Sequence, residues 1–485
     1  MGKNKTTGRA ITGGLFWTFG ERVSAQLIST LVTIVLARVL DPDHYGIISL
    51  VTVFISFCNV FVTSGFGNAL VREKEIRDID YSTAFCISFL MSLALYAILF
   101  FTAPWISSFY RMPVLTPVIR VMALRLPIAS VNAIQQAHVQ RQMAFKRFFM
   151  ATLFGTILSG VVGVALALMG AGVWALVAQY LTNTTVDTLV LLVVDKWKPS
   201  LRCSREAAKR IYSFGWKVLV SELIASLSND IRSLIVGKVF GPSDLAFYDQ
   251  GKKYPSIMIN NLNIAINKVM LPAYSNTQDN LVELKNMLRK SIQIGMFLLA
   301  PIMVGFSATA DHFVSVVLTD KWLPCVPFIP IFCLYFLTRP VETSCQQAIL
   351  SIGRSDITLR IMIMVNVVTL SSILFAAFVL RSVFMIALGS LLTTAVSLGS
   401  FMFFTNKLMD YRLKEQLNDI LPSFLASLFM GVVVYLIGRL AVQQVVLLLI
   451  QIAAGAAMYV LLAHLLHLPA YVYAMQVLKK MLHRG

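Results

Sequence analysis

Long apolar runs alternate along this chain with short polar breaks rich in lysine and arginine. A membrane-spanning helix needs about 20 mostly apolar residues. Runs of that kind fall at 12–38, 45–70, 81–104, 114–137, 147–169, 172–194, 209–239, 246–270, 288–310, 325–350, 361–380, 382–404, 418–438 and 441–465. The pattern predicts an all-α polytopic membrane protein of 14 transmembrane helices, with connections too short for a separate soluble domain. A transmembrane barrel would instead show segments of ~10 residues with alternating polarity. Composition agrees, with 57% hydrophobic and 13% charged residues, against about 25% charged in a soluble domain.

The 41 lysines and arginines exceed the 23 aspartates and glutamates, for a net charge of +18. Cytoplasmic loops of membrane proteins are enriched in lysine and arginine. With 14 spans, 26 of these cations fall in the two tails and the even-numbered loops, and 6 in the odd-numbered ones. Both termini are therefore expected in the cytoplasm. The polar start of the chain runs directly into a helix without a cleavage-site pattern, so no signal peptide is expected. The six cysteines show no paired spacing and read as inert thiols. The basic stretch 466–485 is expected to lie on the membrane surface, attracted to anionic lipid.

An internal repeat sets the expected architecture. Residues 35–47, VLARVLDPDHYGI, align with 235–247, IVGKVFGPSDLAF, so that Val39 matches Val239 and Pro42 matches Pro242. Polar residues follow the same offset: Arg22, Gln26, Ser29 and Thr33 in the first span match Glu222, Ser226, Asn229 and Ser233 in the seventh. More loosely, Arg125-Leu126-Pro127 followed by Gln135-Gln136 resembles Arg339-Pro340 followed by Gln346-Gln347. Corresponding spans are six apart, which predicts two parallel six-helix lobes. The expected bounds are 1–195 and 209–406, joined by a basic linker at 196–208, with a further helix pair at 418–465.

Polar stripes within the spans carry the functional signal. In the eighth span Asp249, Lys253, Ser256, Asn260, Asn263 and Asn267 recur at helical spacing. Such a face cannot look into lipid and must meet other helices or a water-filled cavity. Away from the span ends, nine cations lie inside proposed spans: Arg22, Arg120, Arg125, Lys217, Arg232, Lys252, Lys253, Lys268 and Arg339. By the same measure only six acids accompany them, namely Glu21, Asp187, Glu222, Asp230, Asp249 and Glu342. Ionisable groups at depth are costly and mark functional sites, and an excess of deep positive charge suits an anionic substrate. No metal-ligand spacing or phosphate-binding glycine loop occurs, so neither an enzyme nor a cofactor is expected.

Three segments resemble a known family. Leu36 to Ile47, Gly170-Ala171-Gly172-Val173-Trp174-Ala175-Leu176-Val177 and Gly14-Leu15-Phe16-Trp17 resemble Wzx-type polysaccharide flippases of the multidrug/oligosaccharidyl-lipid/polysaccharide exporter superfamily, in the colanic-acid branch. The resemblance implies a bacterial inner-membrane protein that moves undecaprenyl-pyrophosphate-linked oligosaccharide to the outer leaflet by alternating access. It implies a cationic cavity, for which Arg22, Arg120, Arg125, Lys252, Lys253 and Arg339 are the fitting positions. Asn260, Asn263, Gln135 and Gln346 are then candidates for sugar hydroxyls, and Glu222 and Asp249 for a coupling ion. Expected partners are the lipid-linked glycan, membrane lipids and a glycan polymerase of the same pathway, with no nucleic acid. The helix pair at 418–465 departs from the 12-helix members and resembles the 14-helix peptidoglycan-precursor flippases. A cation-coupled multidrug antiporter on the same fold would want acidic cavity faces, and a membrane glycosyltransferase or polymerase would need larger outer loops.

Overall fold

The computed structural model describes residues 24–482 except 73–75, 143, 196, 201, 276, 278 and 279. Every regular element among them is a helix. In chain order these are α1 (Ser24–Val39), α2 (Pro42–Arg72), α3 (Asp78–Tyr110), α4 (Leu115–Met122), α5 (Arg125–Arg141), α6 (Phe145–Leu168), α7 (Val173–Val194), α8 (Arg205–Val239) and α9 (Pro242–Ser275). They continue as α10 (Leu281–Ala308), α11 (Ala310–Phe313), α12 (Phe328–Leu337), α13 (Arg339–Ser351), α14 (Ser355–Leu374), α15 (Val383–Met409), α16 (Leu413–Ile437), α17 (Gln444–Leu465) and α18 (Pro469–Leu482).

Among the described residues ten segments are helical, long and apolar enough to cross a bilayer, with α4 and α5 together making one of them. Their outward surfaces are apolar: Phe101, Leu168, Val193 and Phe378 are all exposed, as side chains facing lipid would be. Several buried polar groups bond between helices. Ser88 donates to the Val62 carbonyl at 2.5 Å, Ser291 and Ser344 meet at 2.9 Å, and Gln451 donates to the Val434 carbonyl at 3.0 Å. Hydrogen bonds of this kind bind helices together where no water is available.

Helix ends follow from local chemistry. Pro42 and Pro242, matched in the repeat, each open a helix, where the missing N–H costs nothing. Asp80 caps α3 by accepting from the Arg77 amide at 2.9 Å, and Asn280 caps α10 by accepting from the Glu283 amide at 3.2 Å. The turn from α6 to α7 is closed by Gly170 at φ 79°, with the Ala171 amide reaching the Leu166 carbonyl and the Gly170 amide the Ala167 carbonyl. That pairing is the Schellman motif, and it explains the glycine in the Gly170-Ala171-Gly172 segment.

Two expected spans are interrupted. The span at 114–137 consists of α4 and α5, broken at Ala123–Leu124, and the span at 325–350 consists of α12 and α13, broken at Thr338. Pro127 and Pro340 lie in the first turns of α5 and α13, so each proline follows its break at a position that tolerates it. The start of the first expected span, residues 12–23, lies outside the described residues.

The chain forms two compact units, 1–246 and 247–485, with the division falling inside α9. In the first, α6 packs along α7 through Gly155 and Gly163, and Gly160 admits Val32 of α1. Helix α8 also belongs to this unit, although the repeat places it at the head of a second lobe. Its Gly237 fits beneath Leu50 of α2, and its Leu234 carbonyl accepts from the Tyr110 hydroxyl of α3 at 3.3 Å. At the start of α2, Gly46 meets the Pro242 backbone so closely that no Cβ would fit, and Ser243 donates to the Asp43 carboxylate.

In the second unit the C-terminal pair α16–α17 packs on α10. Met430, Val434 and Tyr459 form its core with Phe297, and the Tyr459 hydroxyl donates to the Phe297 carbonyl at 2.9 Å. Gly431 admits Val304 of α10. The Asp419 carboxylate of α16 receives Arg289 through Nε at 2.7 Å and Nη2 at 3.0 Å, Gln293 at 2.6 Å and the Tyr411 hydroxyl at 2.6 Å.

Candidate functional site: a polar cavity among membrane helices

Helices α2, α5 and α7 of the first unit line a half-open cavity of about 420 Å³, within the size range of small-ligand sites. One face of α5 supplies Arg125, Ala129, Asn132, Ala133, Gln136 and Gln140, at the i, i+3, i+4 spacing of a helical stripe. Across from it stand Asn183, Thr184 and Asp187 of α7, and Asn59 and Thr63 of α2. The alanines on α5 keep the wall thin, while the amides project between them.

The lining carries two sets of hydrogen bonds. Arg125 Nε donates to the Thr184 hydroxyl at 3.1 Å, and its guanidinium stands 5.1 Å from the centre of the Tyr180 ring. Asn132 donates to Asp187 at 3.1 Å, and Gln136 donates to Asn132 at 2.6 Å. The guanidinium is thus oriented by a neutral hydroxyl and an aromatic face, which leaves donors for an anion. The amides offer both donors and acceptors, the combination that sugar hydroxyls require.

Among the predicted cations with described side chains, Arg125 lines this cavity. Arg120, on the separate helix α4, donates to the Phe100 carbonyl at 3.1 Å and lies over the Phe100 ring. Gln135 is fully buried, and its neighbour Gln136 faces the cavity instead. Glu222 is exposed on α8. In the second unit, Lys252 and Lys253 are half-buried on α9, with Asp249 one turn before Lys253. Arg339 pairs with Glu342 at 3.5 Å and bonds the Tyr335 hydroxyl, while Gln346 is half-buried on α13. Arg22 and the side chains of Asn260 and Asn263 lie outside the described residues.

Asn59, Thr63, Asn132, Gln136, Gln140, Asn183, Thr184 and Asp187 complete the cavity without having been singled out as ligands by sequence. Their signal was present in the four-residue steps from Asn132 to Gln136 to Gln140.

A second polar cavity, of about 400 Å³, opens near the basic linker and is lined by Asp78, Ser82, His138, Gln142, Lys198 and Arg202 among others. Beside it the buried Asp195 carboxylate accepts from Arg147 at 3.1 Å and meets His138 Nδ1 at 2.7 Å. This clasp ties α5 and α6 to the end of α7.

A multi-span helical protein with a polar cavity walled by its own spans has the architecture of a membrane transporter. The chain belongs to the polysaccharide biosynthesis protein family, whose profile matches residues 35–327. It is similar to the teichuronic acid biosynthesis protein TuaB of Bacillus subtilis, with 24% identity over 94% of this chain and 95% of that one. The lipopolysaccharide biosynthesis protein WzxC of Escherichia coli is 21% identical over 67% of each chain. In fold it resembles a lipid II flippase, MurJ, in an inward closed conformation, with a TM-score of 0.75 over 94% of this chain and 98% of that one, at 14% identity. A multidrug transporter of the MATE family, inward-facing, matches with a TM-score of 0.60 at 16% identity, over 79% of this chain and 94% of that one.

Proposed function

We propose that this protein is a flippase that carries a polyprenyl-pyrophosphate-linked oligosaccharide from the cytoplasmic to the outer leaflet of the cytoplasmic membrane. The observation that carries the reading is the cavity among α2, α5 and α7, where one guanidinium stands amid amides and hydroxyls. Arg125 would hold the pyrophosphate, and Asn132, Gln136 and Gln140 the sugar hydroxyls, while the polyprenyl tail stays in lipid. The names of similar proteins support this cargo class, since they belong to teichuronic acid and lipopolysaccharide biosynthesis, succinoglycan transport and lipid II flipping.

The membrane arrangement completes the proposal. To the ten apolar spans are added the segment containing α1, the long polar-striped helices α8 and α9, and the interrupted pair α12–α13, which gives 14. At 1.5 Å per residue, the 35 residues of α8 extend about 50 Å, ample for a bilayer. The lysine and arginine distribution supports cytoplasmic termini. By alternating access the cavity opens to one leaflet and then to the other, and a polymerase of the same pathway consumes the product.

Transport changes no covalent bond, so the protein is no enzyme. Replacing Arg125 with Ala is expected to abolish polymer export in a strain lacking the native copy, with lipid-linked repeat units accumulating on the cytoplasmic side. Full export by a stably inserted Arg125→Ala variant would defeat the assignment.

A further inference from the structure

The second polar cavity, beside the basic linker, is built from the ends of three membrane-spanning segments. The span of α3 begins at Asp78, that of α5 ends at Arg141 and that of α7 ends at Val194. The cavity therefore lies at one membrane face, at the depth of lipid head groups rather than of acyl chains. Leu189 and Val193 are exposed on the last turns of α7, so apolar surface for acyl chains reaches the same level.

The linker is fastened along α3. Trp197 is buried against Tyr81 and Phe85, with ring centres 6.2 and 6.3 Å away. Further along, Cys86 Sγ donates to the Ser200 carbonyl at 3.8 Å, and the Ser204 amide donates to the Thr83 hydroxyl at 3.0 Å. Lys198 and Arg202, set between these fixed points, are exposed and line the cavity. Lys198 bonds the Leu192 carbonyl at the end of α7, which occupies one of its three donors. Arg202 has no hydrogen-bond partner among the described residues.

From α3 come Asp78 and Ser82. Asp78 is exposed and forms no ion pair among the described residues, whereas Asp80 is held by Arg210 at 2.5 Å. Ser82 is 5% exposed, lines the cavity and has no hydrogen-bond partner among the described residues. A buried hydroxyl in that state is costly until a ligand or water satisfies it. His138 and Gln142 form the opposite wall and are engaged with Asp195, Arg147 and each other.

We propose that this cavity binds the head group of a membrane phospholipid that carries both a phosphate and an ammonium group, the phosphoethanolamine type. Lys198 and Arg202 take the phosphate oxygens, Ser82 donates to one of them, and the Asp78 carboxylate receives the ammonium. Two cations beside one free carboxylate match a zwitterion. A site for purely anionic lipid would be weakened by Asp78. The lining shares no residue with the cavity among α2, α5 and α7, so the site stands whatever the cargo is.

The test uses the purified full-length protein in detergent, with native mass spectrometry to count retained lipid. Phosphatidylethanolamine and phosphatidylglycerol of identical acyl chains are compared. The wild type should retain one phosphatidylethanolamine, with a preference of about fivefold over phosphatidylglycerol. Lys198→Ala with Arg202→Ala should weaken retention of both lipids by at least about tenfold. Lys198→Arg with Arg202→Lys keeps both charges and should retain lipid, which separates loss of the site from misfolding. Asp78→Asn should still bind phosphatidylglycerol but lose the preference, an exchange of selectivity that a merely structural role would not produce. Soluble glycerophosphoethanolamine at equal concentration should not displace the lipid. Displacement by that soluble ester would assign the cavity to a free phosphate compound and overturn the lipid proposal. Equal retention of the two lipids by the wild type, or wild-type selectivity in Asp78→Asn, would also overturn it.

Discussion

Removing the Asp419 carboxylate tests how the C-terminal helix pair is held. Asp419 is 6% exposed and accepts four hydrogen bonds, two from Arg289, one from Gln293 and one from Tyr411. Breaking a buried pair by deleting one partner costs about 3–5 kcal/mol. The Arg289 side chain is 34% exposed, so its charge can regain water and the pair itself should cost less, about 2 kcal/mol. The stranded Gln293 and Tyr411 donors add roughly 1 kcal/mol. Asp419→Ala should therefore lose about 3 kcal/mol, read by unfolding in mixed detergent at fixed protein concentration. In a double-mutant cycle with Arg289→Ala the coupling energy should reach about 1.5–2 kcal/mol. Additive single effects, or an Asp419→Ala variant within about 0.5 kcal/mol of wild type, would refute the reasoning.

Three further outcomes follow from close contacts elsewhere. A side chain at Gly46 would place its Cβ 2.7 Å from the Pro242 Cα. Gly46→Val should accordingly separate the start of α2 from the turn before α9 at a cost of about 1–3 kcal/mol. Its readout is the yield of a disulfide between Asp43→Cys and Ser243→Cys, which should fall when Gly46→Val is added, together with export. Asn132→Ala combined with Gln136→Ala removes two amides from the cavity and should lower export without lowering membrane levels, measured as polymer released per unit of protein. Asp195→Asn weakens the clasp on His138 and Arg147 and should destabilise the first unit by about 2 kcal/mol, seen as faster proteolysis at the basic linker.

Much of the fold was legible because lipid imposes a simple rule on length and polarity. The long apolar runs located the spans, ten of which are membrane-length apolar helices among the described residues, and the matched Pro42 and Pro242 marked two helix starts. The Arg125-Leu126-Pro127 and Arg339-Pro340 motifs carried more information than a repeat signature, since each stands at the start of a helix that follows a break. The site was harder to read because charge does not specify direction. Arg120 and Arg125 look equivalent in sequence, yet the chain turns at Ala123–Leu124 and sends them to different neighbours. Gln135 and Gln136 differ by one position, about 100° of helix rotation, which separates the buried core from the cavity. Arg339 has a partner one turn away in Glu342. Asp187 stands in the sequence as one intramembrane acid among six, and only the packing of α5 on α7 brings it to Asn132 and the cavity.

The central claim is that this chain moves a lipid-linked glycan without altering it. The direct measurement uses the purified protein in sealed vesicles containing undecaprenyl-pyrophosphate-linked oligosaccharide, with an impermeant reagent reporting sugar exposed on the outer leaflet. Wild-type protein should accelerate exchange between leaflets above protein-free vesicles, Arg125→Ala should not, and the recovered glycan should be covalently unchanged. Exchange no faster than in protein-free vesicles, or a glycan lengthened or cleaved by the protein, would contradict the account.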